Sequence, residues 1–219
     1  MNMQTKISSG IAMFKECGYC IVNNSLSEDT LNIVKQYAFF DELQNYGKKP
    51  LKDSVPNAYN KYADPIMETL LLHLQPIVEQ NTGMKLLPTY SYYRIYRDGD
   101  ELPNHRDRPA CEISMSVCLG YEFKNGYKWP IYVGNKAIEQ DPADILVYKG
   151  CELYHRRDKL ILNDSEAWQV QGFFHYVDAE GPYVNESRDK RPSIGLIKEP
   201  TNDALQLAMA ISAIKPPYD

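Results

Sequence analysis

The chain has only four histidines, His73, His105, His155 and His175, so a place where two of them could meet a carboxylate is the first to examine. His105-Arg106-Asp107 sets an imidazole and a carboxylate two residues apart. On an extended strand such residues point to the same face, where they can grip one metal ion. A third ligand from another strand completes two histidines and one carboxylate on one side of the ion. This arrangement leaves coordination positions open and suits non-haem Fe(II) chemistry with oxygen. His155, near the end of a later strand-like run, is the natural third ligand. The stretch from Asp107 to His155 is long enough for the strands and turns that bring the ends of a jelly roll together. His73 sits inside an apolar helical run and reads as structural.

The elements that must position these residues fall into two groups. Gly18 to Val22 is a short apolar strand, and Ser25 or Ser27 caps a helix carrying Leu31, Ile33, Val34 and Tyr37. Lys48 to Asn60 reads as a loop. A second helix runs from about Pro65 to Gln80, with Met67, Leu70, Leu71, Leu74, Ile77 and Val78 inward and Gly83 after its end. From Leu86 the pattern changes to short runs broken by turns. These are Thr89 to Tyr96, Cys111 to Leu119, Pro130 to Val133, Asp144 to Tyr148, Cys151 to His155 and Trp168 to Val177. Runs of this spacing predict a β-sandwich or barrel, and the lack of helices between them argues against parallel βαβ units. After Gly181 the chain is polar until a helix near Ala204 to Ile214, expected to pack on the sandwich, with a dimer contact through Leu205, Leu207, Met209 and Ile211 as the alternative. The expected organisation is one domain over 1–219: helical support in 1–85, a jelly-roll core in 86–178 and a C-terminal tail with a helix in 179–219.

Tyr96-x-x-Gly99-x-x-Leu102-x-x-His105-x-Asp107 resembles the segment around the first two iron ligands in the prolyl-4-hydroxylase-like branch of the Fe(II)/2-oxoglutarate oxygenases. Gly150-Cys151-Glu152-Leu153-Tyr154-His155, followed by Trp168 to Val177, looks like that family's last two core strands. The runs Pro88 to Arg94 and Asp107 to Glu112 resemble a bacterial and phage-type subgroup. The resemblance implies a mainly β fold with supporting helices: a double-stranded β-helix, of jelly-roll or cupin-like form, with N-terminal helices packed on its major sheet. It implies Fe(II) on His105, Asp107 and His155, 2-oxoglutarate as cosubstrate, molecular oxygen, and hydroxylation of an unactivated C–H bond with release of succinate and CO2. It also implies that Tyr96 hydrogen-bonds the distal carboxylate of 2-oxoglutarate. His-Arg-Asp occurs in the protein-kinase catalytic loop too, but that motif's later Asn, its Gly-rich loop and Asp-Phe-Gly are absent.

The pattern breaks at one point. The family places an Arg or Lys on the last strand to pair with the cosubstrate's distal carboxylate. Here the count from His155 reaches Ser165 in a polar turn, or Gln169 and Gln171 if that turn is an insertion. A glutamine donates hydrogen bonds without charge assistance. Arg157 shares the face of His155 by strand alternation, as does Lys159 two residues further on, and Arg157 ranks first among the basic candidates, which also include Arg94 and Arg108. Alternation along the last strand also turns His175 inward, toward substrate or toward support of a ligand. Two other functions stay open: a non-haem iron oxidase that does not use 2-oxoglutarate, and a catalytically silent jelly-roll binding module.

Composition narrows the partners. A net charge of −5 gives no electrostatic footprint for nucleic acid or an anionic membrane. No apolar run approaches a membrane span, and the first ten residues lack the apolar stretch of a secretory signal, so a cytoplasmic location is expected. Cys17-x-x-Cys20 lacks the second pair a zinc site would need and reads as structural. Seventeen tyrosines, many on strand-like runs, suit half-buried sheet faces or a pocket wall that needs hydroxyl groups. The substrate is expected to be a small molecule, a free amino acid or a peptidyl side chain.

Overall fold

A computed structural model describes residues 3–47, 55, 58–196 and 198–212. The N-terminal region holds helix α1 (Met3–Cys17), strand β1 (Tyr19–Val22), helix α2 (Glu28–Gln44), strand β2 (Tyr59–Tyr62) and helix α3 (Pro65–Thr82). Ser27 caps α2 by accepting from the Thr30 amide. Asp64 caps α3 by accepting from Ile66, and Pro65 opens that helix at a position where no amide donor is needed. Gly83 ends α3 in the left-handed region at φ 75°, a conformation glycine adopts without steric cost.

The β region comprises β3 (Leu86–Arg97), β4 (Leu102–His105), β5 (Ile113–Glu122), β6 (Ile131–Val133), β7 (Lys136–Ile138), β8 (Ile145–Lys149), β9 (His155–Arg157) and β10 (Trp168–Asp178). A six-stranded sheet has the order β1-β8-β5-β10-β3-β2, and a four-stranded sheet the order β4-β9-β6-β7. All pairings are antiparallel. Alternation along β3 and β10 divides the protein into two compartments. Tyr93, Ile95, Val170, Phe174 and Tyr176 join Met67, Leu71, Leu74 and Val78 of α3 and Val34 and Ala38 of α2 in the main core. The intervening residues of the same strands face the four-stranded sheet. This is the expected jelly roll with helices on its major sheet.

Several expectations need correction. Helix α1 has no counterpart among the predicted elements; its Phe14 lies in the main core. The region before Leu86 is not only helical support, since β1 pairs with β8 and β2 with β3 in the large sheet. Most of the expected Lys48 to Asn60 loop lies outside the described residues, and Tyr59 and Asn60 belong to β2. Cys151 to Tyr154 is a turn rather than a strand, because the amides of Glu152 and Leu153 both bond the Lys149 carbonyl. His155 therefore opens β9 instead of ending a strand. His73 is on the solvent face of α3, not in the core. Helix α4 (Asn202–Ser212) leaves Leu207, Met209 and Ile211 exposed, and the last two positions of the expected helix lie outside the described residues. Among the described residues no helix is long and apolar enough to cross a membrane.

Candidate metal centre

His105 is the last residue of β4, and His155, the first of β9, sits directly across from it in the pairing. Pro103 is tolerated in β4 because that strand is the edge of its sheet. Asp107 lies just past the strand, so alternation within one strand is not what joins it to His105. Its backbone amide instead donates to the Gly150 carbonyl at 2.9 Å, turning the chain so that the carboxylate faces both imidazoles. Asp107 Oδ1 is 3.6 Å from His105 Nε2 and 3.5 Å from His155 Nε2, and the two rings lie 4.2 Å apart. These three groups offer one ligand atom each within metal-binding reach of one another.

The tautomers follow from the partners. His105 Nδ1 is 2.8 Å from the Pro103 carbonyl, and His155 Nδ1 is 3.1 Å from that of Leu153. A carbonyl only accepts, so each neutral ring carries its proton on Nδ1 and presents a lone pair at Nε2. Burial opposes ionisation of Asp107, but the imidazoles of His105 and His155 hold its carboxyl well below the usual carboxylate range. The Asp107 carboxylate in turn raises the His105 pKa. Two neutral imidazoles and one carboxylate would leave a divalent ion one net positive charge, which favours an anionic chelator.

Behind the carboxylate stands a relay that the motifs did not reveal. Ser114 on β5 donates to Asp107 Oδ2 at 2.7 Å, leaving Oδ1 to face the two imidazoles, and lies 3.0 Å from His175 Nδ1. His175 thus supports the carboxylate through Ser114 and also lines the cavity. Burial pushes its pKa down to about 4. The polar residues Ser114 and Ser116, alternating within the apolar run Ile113 to Val117, were the available sequence signal for an inward polar face.

The three candidate ligands stand in the wall of a cavity of about 470 Å³, together with Arg94, Arg108 and His175. Tyr62, Tyr90, Tyr92, Tyr148, Phe173 and Leu102 line the rest. Tyr96, Arg157, Gln169 and Gln171 are not in this wall. They lie in the buried interior that adjoins it through Arg94, whose Nη1 donates to Tyr96 Oη at 3.0 Å. Gln169 Nε2 donates to Gln171 Oε1, and Gln171 Nε2 to Ser116 Oγ and Gln140 Oε1. Arg157 is buried, donates to the Trp129 carbonyl and more distantly to Gln140, and leaves Nε without a partner. Among the described residues no carboxylate pairs with it, and burial pushes its pKa down. Gln140, which joins Arg157 to Gln171, lies between strands and carried no sequence signal. Lys159 and Ser165 are exposed.

No family model matches the sequence, and no curated protein matches it. Solved structures do match its fold. A Pseudomonas putida prolyl-4-hydroxylase is similar at TM-score 0.57 and 13% identity, over 77% of this chain and 98% of that one. An oxidoreductase of the 2OG-Fe(II) oxygenase family from Burkholderia pseudomallei is similar at TM-score 0.58 and 14% identity, over 78% and 89%. EctD from S. alaskensis, with 2-oxoglutarate and 5-hydroxyectoine, is similar at TM-score 0.60 and 15% identity, over 87% and 82%. The chain has the fold of the Fe(II)/2-oxoglutarate oxygenases.

Proposed function

We propose that this chain is an Fe(II)- and 2-oxoglutarate-dependent oxygenase that hydroxylates an unactivated C–H bond, with succinate and CO2 as coproducts. The observation that carries this reading is the convergence of His105 Nε2, His155 Nε2 and Asp107 Oδ1, with each histidine's Nδ1 already committed to a carbonyl. That donor set fits Fe(II), and the fold supports the same choice. Bound iron supplies the place where cosubstrate and oxygen meet and where the cosubstrate's electrons pass to oxygen. The protein's part is to bind, orient and exclude water.

The buried Arg157 guanidinium, with an unpaired Nε and, among the described residues, no carboxylate beside it, fits the distal carboxylate of 2-oxoglutarate. An anion there would offset the desolvation of the guanidinium. Gln169, Gln171 and Tyr96 lie in the same interior and can add uncharged hydrogen bonds. The charge missing from β10 is in this reading supplied from β9, two residues after a metal ligand. The whole chain acts as one oxygenase domain, a reading supported by the N-terminal strands β1 and β2 in the large sheet.

Substitution of Asp107 tests the proposal. Asp107→Ala should abolish stoichiometric iron binding and oxygen-dependent succinate formation together. A variant that keeps both would refute the site.

A further inference from the structure

Asp107 belongs to two groups of metal-ligating side chains among the described residues. One is the triad with His105 and His155, and the other joins it to Cys111 and His175. In the second group the Cys111 sulfur, a ring nitrogen of His175 and an Asp107 oxygen all lie within 4.8 Å of one another. Three separate elements supply them: the turn Pro109–Cys111, strand β10 and the loop after β4. The group is closed to bulk water, with Cys111 2% exposed and His175 6%. A buried thiol usually behaves as a small apolar side chain. This one instead meets the Tyr90 hydroxyl at 3.0 Å, with a carboxylate and an imidazole beside it.

The surroundings hold the three groups in place. The Cys111 amide donates to the Arg108 carbonyl at 2.8 Å, and the Thr89 hydroxyl donates to the Ala110 carbonyl at 2.7 Å, which pins the turn to β3. Ser114 Oγ is 2.7 Å from Asp107 Oδ2 and 3.0 Å from His175 Nδ1, so one hydroxyl spans the carboxylate and the imidazole. Asp107 Oδ1 faces the other way, toward His105 and His155. The two oxygens of one carboxylate can serve two ions, which in two-metal sites stand about 3.5–4 Å apart. An ion can enter from the cavity, whose wall includes Asp107, His175 and the Tyr90 that bonds the thiol. Arg108 lies over the Tyr90 ring, but Asp189 meets its charge at 2.7 Å.

We propose that Asp107, Cys111 and His175 form a second metal position, which takes a thiophilic divalent ion, zinc above all, and shares the Asp107 carboxylate with the first. Thiolate, imidazole and carboxylate are zinc's ordinary ligands, and the sulfur separates this position from the nitrogen and oxygen donors of the triad. Binding converts the Cys111 thiol to a thiolate and releases its proton to solvent. The ion replaces the hydrogen bond that Cys111 makes with Tyr90. The position does not depend on the oxygenase reading, since neither Cys111 nor His175 belongs to the triad.

The test is anaerobic titration of the metal-free protein with Co(II), a spectroscopic substitute for zinc whose bond to a thiolate gives a near-ultraviolet charge-transfer band. The parent should take two equivalents, one with the thiolate band and one without. Cys111→Ser should lose the band and keep the other equivalent. Cys151→Ser should keep both, although that sulfur lies 3.3 Å from the Arg108 carbonyl in the same region. His105→Ala should keep the band and lose the band-free equivalent, so the two positions are tested apart. X-ray absorption of the zinc-loaded parent should show a sulfur neighbour at about 2.3 Å, and serves if Cys111→Ser does not fold. Zinc with no sulfur neighbour, cobalt bound without the band, or a band that survives Cys111→Ser overturns the proposal. A parent that shows the band but no band-free equivalent would refute the triad and leave this position standing.

Discussion

Single residues divide the labour of the site between charge and its support. Arg157→Ala should raise the 2-oxoglutarate concentration needed for half-saturation by about tenfold or more, the usual cost of a lost charge-assisted hydrogen bond. Iron content should not change, and equilibrium dialysis of both ligands checks the pair. An unchanged requirement would move the anchor to Arg94 or the glutamines. His175 can be tested separately through pH. Its folded pKa of about 4 is below its ordinary value of 6.5, so the unfolded chain binds a proton across that window and the folded chain does not. Its contribution is then complete above pH 6.5 and is lost as pH falls toward 4, by about 3 kcal/mol over the full window. The raised His105 acts above that window and the lowered Asp107 below it. Urea unfolding of metal-free protein at pH 7 and pH 5 should show a smaller acid loss in His175→Gln than in the parent. Equal losses would mean that His175 does not carry this pH dependence.

Elements decide whether these residues meet. The turn after β8 matters most, since Gly150 accepts from the Asp107 amide and donates to the Glu112 carbonyl at 2.9 Å each. A Cβ at Gly150 would strike the Cys111 carbonyl and the Asp107 carboxylate, and stand 2.6 Å from Ser114 Oγ. Gly150→Ala should therefore weaken iron binding by at least about tenfold, as loss of a ligand's supporting contacts does, while far-UV circular dichroism stays close to the parent's. Parental iron affinity would show that this turn does not position Asp107. Much of this level is legible in the sequence. The long apolar runs become β3, β5, β8 and β10, and of the two cap candidates Ser25 and Ser27 it is Ser27 that caps its helix. The short edge strands β4 and β7 are not legible, because pairing rather than composition makes them strands. Strand alternation singles out His105 and Asp107 in the sequence, yet it is the Gly150 contact that joins them. A contact between residues so far apart in the chain leaves no mark on local spacing.

The molecule as a whole is a double-walled support for one interior site. Helices α1 to α3 cover the outer face of the six-stranded sheet, which frees its inner face to carry polar and charged groups. That division explains why buried Gln169, Gln171, Ser114 and His175 can coexist with an ordinary apolar core. The last strand, Trp168–Asp178, carries no Arg or Lys, and under the proposal cosubstrate binding would depend on Arg157. The most direct measurement is an anaerobic titration of Fe(II)-loaded protein with 2-oxoglutarate, followed through the weak visible charge-transfer band of the chelate. The expected band saturates, is lost in His155→Ala, and requires a higher 2-oxoglutarate concentration in Arg157→Ala. Iron bound with no band would refute the cosubstrate site and point to an oxidation that does not use 2-oxoglutarate, and a protein that binds no iron would refute the metal centre itself.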